Sequence, residues 1–342
     1  MKAMLLDTIC NVARNPEPLK PADVDIPVPS DAEVLIKISA CGVCHTELDE
    51  IEGRTPPPKL PVIPGHQVTG KVEEAGKRAL KLKAGDRVGV AWIFSACGRC
   101  SMCLKGDENL CPDFMATGRD ADGGYAEYMT VPESYAFPIP DSFSDIEAAP
   151  LLCAGAIGYR SLRLADIENG QRLGLTGFGA SAHLVLKMVR HELPDVDVFV
   201  FARNPGQKEF ALELGAVWAG DTDEDAPERL DSIIDTTPAW KPVVKAMKNL
   251  APGGRLVINA IRKEDADKDY LLNLNYAEHL WDEKEIKSVA NVAGRDVREF
   301  LDLAARADIR PEVEIYSLEE ANKALYELRT SKIRGAKVLK IG

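Results

Sequence analysis

The stretch GFGASA, at residues 177–182, decides the fold of the second half of the chain. It has the pattern G-x-G-x-x-A and lies between an apolar strand-like run at 172–176 and a helical pattern at 181–191. In that context the first glycine allows a tight turn, the second lets the backbone approach a pyrophosphate, and the alanine permits close packing of the helix on the sheet. The N-terminus of the helix then faces the phosphates. The stretch therefore predicts a dinucleotide site formed by Gly177, Gly179, Ala180 and Ala182.

The segments that follow this stretch alternate between strands and helices. The predicted strands lie at 172–176, 196–202, 232–236, 254–260 and 286–292, and the predicted helices at 181–191, 207–214 and about 242–250. The run at 196–202 is almost continuously apolar, as expected for a strand that is covered on both faces. Alternation of this kind predicts an α/β fold with a doubly wound parallel sheet. We place this domain at residues 153–293.

The first half of the chain reads differently, as a β-rich domain. Short alternating or apolar runs recur at 34–39, 68–74, 86–92 and 125–131, and glycine and proline separate them. This pattern is typical of a small, partly open barrel or sandwich. Two helical patterns at 297–307 and 318–329 and a final strand at 336–341 follow the parallel domain. We expect residues 294–342 to join residues 1–152 in one domain.

Charge and length limit the possible partners and compartments. The chain has 342 residues and a net charge of −12, and it contains no block of lysine and arginine, so nucleic acid and anionic membranes are not expected partners. Asp7 interrupts the apolar N-terminal run, which argues against a signal peptide. We therefore expect a cytoplasmic protein, in which eight cysteines call for an explanation other than disulfides.

Four of these cysteines follow the spacing C-x2-C-x2-C-x7-C within a lobe at residues 92–113. Four thiolates in one loop match a closed tetrahedral zinc site, which would be structural because no position is left open. Disulfides, an iron–sulfur cluster and a zinc-ribbon module that binds nucleic acid are the alternatives. The expected reducing compartment counts against disulfides, and the spacing to the fourth cysteine counts against an iron–sulfur cluster. The acidic net charge counts against a module that binds nucleic acid. The predicted ligands are Cys97, Cys100, Cys103 and Cys111.

A second metal site is suggested by residues that lie far apart in the sequence. Cys44 lies at a predicted strand-to-helix turn, where the helix dipole favours a thiolate. His66 follows a proline-rich segment, and Cys153 lies in an apolar run. Taken singly, each also fits an ordinary structural role, since buried cysteines and hydrogen-bonded histidines are common in protein cores.

The motifs CGVCHT at 41–46, GH at 65–66, the four-cysteine lobe and LCAG at 152–155, in this order and spacing, resemble the zinc-dependent medium-chain alcohol dehydrogenases. The glycine loop extends the resemblance over nearly the whole chain. It implies a GroES-like catalytic domain beside a Rossmann domain, and a catalytic zinc held by Cys44, His66 and Cys153 with one open position. It also implies two zinc ions per chain, hydride transfer between a small alcohol, expected to be primary, and NAD(P), and a homodimer or homotetramer.

The resemblance assigns further roles near the catalytic zinc. Thr46 would hydrogen-bond the substrate oxygen and start proton release, although it also fits a helix N-cap. Glu47 would orient His66 from behind, although it also fits a first-turn carboxylate. His45 would contact the cofactor pyrophosphate. Trp92 would form an aromatic wall of the substrate pocket, unless it is a core tryptophan.

Two positions depart from the pattern of the family. Asp49 stands where many members have a histidine as the outer step of the proton relay, and a carboxylate accepts protons only weakly at neutral pH. Gln67 replaces the glutamate that usually follows the ligand histidine, so that a neutral amide adjoins the site. We retain Asp49 as a catalytic candidate and Gln67 as a neighbour of the ligands.

The end of the strand at 196–202 bears on the choice of nucleotide. NAD-binding proteins usually carry an acidic residue there, whereas this chain has Arg203 and Asn204, with Lys208 nearby. A guanidinium suits a 2′-phosphate, so NADP is favoured and NAD remains an alternative. Arg334 is a candidate for the pyrophosphate. Two other functions stay open: a polyol or specialised aldehyde dehydrogenase, and a zinc and nucleotide binder without catalysis.

Overall fold

The computed structural model describes residues 1–330 and 335–342, which divide into two compact units. The first unit comprises residues 1–153 and 292–342, and the second comprises residues 154–291. The strands are β1 (Lys2–Leu6), β2 (Leu19–Asp23), β3 (Glu33–Val43), β4 (Val68–Ala75), β5 (Arg87–Val90), β6 (Ile93–Ser95), β7 (Met115–Ala116), β8 (Tyr128–Pro132), β9 (Phe137–Pro138), β10 (Arg172–Thr176), β11 (Asp197–Phe201), β12 (Trp218–Gly220), β13 (Leu230–Asp235), β14 (Leu250–Ile258), β15 (Glu285–Ser288), β16 (Val313–Ser317) and β17 (Ala336–Lys340). The helices are α1 (His45–Ile51), α2 (Ser101–Leu104), α3 (Asp145–Pro150), α4 (Ala156–Ala165), α5 (Ala180–Glu192), α6 (Pro205–Glu213), α7 (Lys241–Asn249), α8 (Gly294–Arg306) and α9 (Ala321–Thr330).

The first unit is built around the long strand β3. This strand pairs antiparallel with β4, β8 and β17 within a seven-stranded sheet. Val34, Ile36, Ile38 and Ala40 share one face of β3 and are all buried, as expected for a strand face that lies on a core. The other face is exposed only in part, since Lys37 is exposed but Leu35 is buried. Because β17 pairs with β3, the last strand of the chain completes the sheet of this unit. The sheet confirms the β-rich character predicted for this half.

The second unit contains a six-stranded parallel sheet in the order β12-β11-β10-β13-β14-β15. Strand order 3-2-1-4-5-6 is the doubly wound arrangement, with the first strand at the centre. Residues 198–201 of β11 are all buried, because helices cover both faces of such a sheet. The prediction of a doubly wound parallel sheet is confirmed.

Several boundaries differ from those predicted. The strand expected at 286–292 is Glu285–Ser288, and the one expected at 125–131 begins only at Tyr128. The antiparallel pair β1 and β2 was not predicted, because β2 is largely exposed and contains a proline. Over residues 1–330 and 335–342, no helix has the length and apolar character that crossing a membrane would require.

Candidate metal and dinucleotide sites

Cys44 lies where β3 ends and α1 begins, as the N-cap of the helix. Its Sγ accepts a hydrogen bond from the backbone N–H of Thr46 at 3.4 Å. Its own N–H donates to Oε2 of Glu47 at 2.9 Å, which completes a capping box. The sulfur therefore sits at the positive end of a helix as a hydrogen-bond acceptor, a setting that favours a thiolate.

His66 is completely buried and lies against two residues of this helix start. Its Nδ1 is hydrogen-bonded to Oε1 of Glu47, and its Nε2 lies 3.6 Å from Sγ of Cys44. In the neutral tautomer whose Nδ1–H donates to the carboxylate, Nε2 carries the lone pair that a metal ion would bind. Burial lowers the pKa of His66, but the charges and hydrogen bonds of Glu47 and Cys44 together outweigh burial and leave the pKa well above its ordinary value. The geometry thus gives Glu47 the orienting contact that the resemblance implies.

Cys153 completes this group from a π-helical turn, Leu151–Gly155. The ligand atoms of Cys44, His66 and Cys153 all lie within 4.8 Å of one another. The hydrogen bond with Cys153 and burial outweigh the effect of the helix start and raise the pKa of the Cys44 thiol well above its usual range. A divalent cation would offset the cost of a buried, negatively charged thiolate. Two sulfurs with one imidazole are the donor set of a catalytic zinc with three protein ligands. The three residues therefore fit zinc.

Two polar residues that follow on the same helix, Thr46 and Asp49, are both buried. Thr46 is buried beside Cys44. Asp49 is also buried, and Nε of Arg54 donates to its Oδ1 at 2.5 Å. The Arg54 pair was not predicted from the sequence. A proton relay through Asp49 would have to compete with this ion pair.

Trp92 is half-buried and contacts both an aromatic ring and charged side chains. The ring of Phe114 lies 5.1 Å from its ring, and the guanidinium of Arg119 lies 5.4 Å above it. Its Nε1 donates weakly to Oε1 of Glu50 at 3.5 Å. Burial, with the charge of Glu47 adding to it, raises the pKa of Glu50 to about 8. Sequence reasoning missed Glu50, although its spacing of three from Glu47 on a short helix was an available signal.

Gln67 is buried next to the ligand histidine. A Cβ added to Gly42 would lie 2.7 Å from its Oε1, so Gly42 makes room for this side chain. Its Nε2 is buried, and no partner for it is found among the described residues. The amide therefore remains an available donor close to His66.

The four cysteines of the lobe form a second group. Their ligand atoms also lie within 4.8 Å of one another. Backbone N–H groups of Cys97, Cys100, Cys103 and Asp113 donate to sulfurs of this group at 3.3–3.5 Å. The backbone N–H groups of Arg99 and Cys100 lower the pKa of Cys97 to about 6, whereas burial and the neighbouring Cys100 thiol raise that of Cys103 to about 12. Four thiolates at this spacing need a cation, and the set fits a closed zinc site.

The glycine loop joins β10 to α5 in the second unit. Gly177 has φ +76°, and a Cβ there would lie 2.9 Å from side-chain atoms of Thr236 and Thr237, so glycine is required. Gly179 is the N-cap of α5, and a Cβ on it would meet nothing within 4 Å. Ala182 is buried where α5 packs. The loop therefore presents open backbone and the N-terminus of a 13-residue helix beside the end of β10.

The remaining predicted cofactor residues lie on exposed or half-buried positions. Arg203 is exposed just after β11, and Lys208 is half-buried on α6. Asn204 is exposed and caps α6, because its Oδ1 accepts from the N–H of Gly206 at 2.8 Å. His45 is exposed at the start of α1. Arg334 lies outside the described residues.

Sequence comparisons relate the chain to known proteins. Residues 30–141 match the family model described as "Alcohol dehydrogenase GroES-like domain". A "Probable alcohol dehydrogenase AdhA" of Mycobacterium tuberculosis is 41% identical, over 95% of this chain and 93% of that protein. An alcohol dehydrogenase of Geobacillus stearothermophilus is 34% identical, over 93% and 94% of the two chains.

Solved structures of alcohol dehydrogenases have the same fold as this chain. A cinnamyl alcohol dehydrogenase from Sorghum bicolor is similar with a TM-score of 0.82 and 27% identity, over 99% of this chain and 97% of that one. The structure of CAD from Helicobacter pylori complexed with NADP(H) has a TM-score of 0.84 and 25% identity over the same shares. The chain therefore belongs to the zinc-dependent medium-chain alcohol dehydrogenases, NAD(P)-dependent enzymes that interconvert alcohols with aldehydes or ketones.

Proposed function

We propose that this chain acts on primary alcohols and their aldehydes, with a catalytic zinc held by Cys44, His66 and Cys153 and with NADP as the preferred dinucleotide. One observation carries the proposal: three potential ligand atoms, from residues that together span more than a hundred positions of the sequence, lie within 4.8 Å of one another. The donor set leaves a fourth coordination position for substrate, as in catalytic zinc sites generally.

Zinc bound there would act as a Lewis acid that lowers the pKa of an alcohol hydroxyl and polarises a carbonyl. The residues of this chain hold and orient the ligands. Glu47 fixes His66 through Nδ1, and the N–H of Thr46 supports the sulfur of Cys44. Thr46 Oγ1 is the proposed first acceptor of the substrate proton, as the resemblance implies. Asp49 stays the predicted outer group of the proton relay despite its pairing with Arg54.

Trp92 is proposed as a wall of the substrate pocket. Its ring is held by Phe114 on one side and by the Arg119 cation above, and its indole N–H is directed towards Glu50. Gln67 is proposed as a neutral hydrogen-bonding neighbour of His66, in keeping with its unpartnered Nε2.

The dinucleotide is proposed to bind at the glycine loop of the second unit. Gly177, Gly179, Ala180 and Ala182 would accommodate the pyrophosphate through open backbone and a helix N-terminus. Arg203 and Lys208 would bind a 2′-phosphate, with Asn204 as their neighbour. The NADP(H) complex of the Helicobacter pylori relative supports this preference. The predicted contacts of His45 and Arg334 with the pyrophosphate remain predictions.

The four-cysteine lobe is proposed to hold a structural zinc, because all four of its ligands are protein sulfurs. We assign residues 1–152 and 294–342 to the catalytic domain and residues 153–293 to the dinucleotide-binding domain. A cytoplasmic location is proposed because all eight cysteines are free, as a reducing compartment would keep them.

A homodimer or homotetramer is proposed for the assembly. The sheet of the second unit ends in β15, whose four residues are exposed and pair with β14 on one side. An exposed edge strand is a ready template for pairing with another chain. Sedimentation at two protein concentrations would measure the assembly state.

Metal analysis of the wild-type chain and of Cys44→Ala tests the catalytic proposal. We expect two zinc ions per wild-type chain and one in the variant, together with loss of nearly all turnover on a panel of primary alcohols. Preference for polyols in the panel would support the alternative substrate class. Retained turnover in Cys44→Ala would remove Cys44 from the mechanism, and absence of turnover in the wild type would favour a binder without catalysis.

A further inference from the structure

The turn that carries Cys153 accepts a hydrogen bond from a side chain of another helix. Leu151–Gly155 is π-helical and follows Pro150, which has no backbone N–H to donate. Single π-helical turns recur at functional sites. The carbonyl oxygen of Ala154, the residue directly after Cys153, accepts a hydrogen bond from Ser181 Oγ at 3.1 Å. The position of the ligand cysteine therefore depends in part on a side chain distant in sequence.

Ser181 belongs to the glycine loop and its helix. It is the second residue of α5 and follows Gly179 by two positions. Any ligand that orders the N-terminus of α5 therefore also orders the Ser181 hydroxyl. The boundary between the two units falls between Cys153 and Ala154, so this hydrogen bond reaches the first residue of the second unit.

A buried amide fixes the direction of that hydroxyl. Nδ2 of Asn259 donates to Ser181 Oγ at 3.2 Å and to Ser161 Oγ at 2.8 Å. The backbone N–H of Asn259 donates to the carbonyl of Asp235 at 2.8 Å, which anchors the amide at the ends of two strands. Because Ser181 Oγ accepts from Asn259, its own proton is directed to Ala154.

We propose that Ser181 is a positioning residue, which couples occupancy of the dinucleotide loop to retention of the metal by Cys153. The inference rests on the proposed function, from which it takes the metal ligands and the dinucleotide loop. Ordering of α5 by the dinucleotide would hold the turn at Cys153 in its ligating position. The metal would hold the same turn and so favour the ordered loop, because coupling between two binding equilibria is reciprocal.

A simpler role is that Ser181 only satisfies a half-buried carbonyl. That role predicts a change in stability when the hydroxyl is removed, but it predicts no link between dinucleotide and metal. The two roles therefore differ in a binding measurement and not in activity.

The test measures zinc release from the full zinc-loaded chain to a chromophoric chelator, with and without saturating NADPH. In the wild type we expect NADPH to slow release of one of two zinc ions roughly fivefold or more. In Ser181→Ala this slowing should fall below about twofold, and Ser181→Thr, which keeps a hydroxyl, should restore it. Ser161→Ala is the matched control, since it removes another partner of Asn259 and leaves the bond to Ala154.

Equal slowing in the wild type and in Ser181→Ala would overturn the proposal, because the dinucleotide would then act on zinc release without the Ser181 hydroxyl. Should Ser181→Ala not fold, the wild type alone decides: its NADPH dissociation constant must rise when the labile zinc is removed. An unchanged constant rejects the coupling. Failure of the proposed function is distinct, since it would appear as no NADPH binding or as fewer than two zinc ions per chain.

Discussion

Glu47 and His66 form a completely buried pair in which a carboxylate of α1 is hydrogen-bonded to the imidazole Nδ1. The same carboxylate accepts from the backbone N–H of Cys44. One side chain therefore contacts two of the three proposed zinc ligands, and it fixes which nitrogen of His66 faces the sulfur. Carboxylates that orient ligating histidines in this way also raise their basicity.

Replacement of Glu47 by glutamine should weaken zinc binding at Cys44, His66 and Cys153. The amide keeps the shape and can still accept from the N–H of Cys44, but it carries no charge to support the imidazole. We expect a roughly 10- to 100-fold loss of affinity for the labile zinc, measured by competition with a chelator. Glu73→Gln, at an exposed position, is the control. Affinity within about twofold of the wild type would show that Glu47 only caps the helix.

Replacement of Asp49 by asparagine separates a structural from a catalytic role. The buried carboxylate pairs with Arg54, which is 30% exposed, so loss of the charge should lower the free energy of unfolding by about 2 kcal/mol. If the pairing is the main role of Asp49, kcat should fall less than about tenfold. A loss of about a hundredfold or more, with a changed pH profile of kcat, would establish Asp49 as a relay group.

The local signals of the sequence predicted the second unit well. The apolar run at 196–202 and the glycine loop report backbone requirements that do not depend on distant residues, and the parallel sheet followed them closely. The order of motifs also predicted two groups of ligands, whose ligand atoms the structure brings together. One is Cys44, His66 and Cys153, and the other is the set of four lobe cysteines. In each case the type of residue and its spacing carried the information.

The contacts of Arg54 and Glu50 and the turn at Cys153 were not predicted, because they depend on the folded chain and not on local sequence patterns. Arg54 follows α1 by a few residues, and only the fold turns it back onto Asp49. The burial of Glu50 beneath Trp92 depends on packing between segments more than forty residues apart. The π-helical turn at Cys153 has no periodic signature in five residues, and Pro150 before it fits several kinds of turn.

Removal of Arg203 should change the choice of nucleotide. The exposed guanidinium is the proposed partner of the 2′-phosphate, which NAD+ lacks. In Arg203→Ala we expect kcat/KM for NADP+ to fall about 10- to 100-fold while that for NAD+ changes little, which corresponds to about 1.4–2.8 kcal/mol. Arg14→Ala, at another exposed position, serves as the control. A tenfold advantage of NAD+ in the wild type would reverse the predicted preference.

The capping box of α3 should contribute stability that depends on pH. Hydrogen bonds from Ser144 and the charge of Arg310 lower the pKa of Glu147 to about 2. A carboxyl with a depressed pKa stabilises the fold above its unfolded value of about 4.3 and loses this effect as the pH falls towards 2. The unfolding free energy of the wild type should exceed that of Glu147→Gln by about 1 kcal/mol at pH 7. The difference should shrink between pH 5 and pH 3, and a constant difference would contradict the assigned pKa.

The two proposed zinc sites should respond separately to removal of one lobe ligand. Cys103 contributes a sulfur 3.6 Å from that of Cys100 and 3.9 Å from that of Cys97, and it has no contact with His66 in the described structure. In Cys103→Ser we expect zinc content to fall from two ions to one, because a closed tetrahedral site tolerates loss of a thiolate poorly. The melting temperature should fall as well, since binding energy at a structural zinc site is folding energy. The remaining zinc should still be lost on Cys44→Ala, and Cys10→Ser, which lies in neither group, should keep both ions. Loss of both ions from Cys103→Ser would show that the lobe and the Cys44 site are not independent, and the assignment of a purely structural zinc would then be wrong.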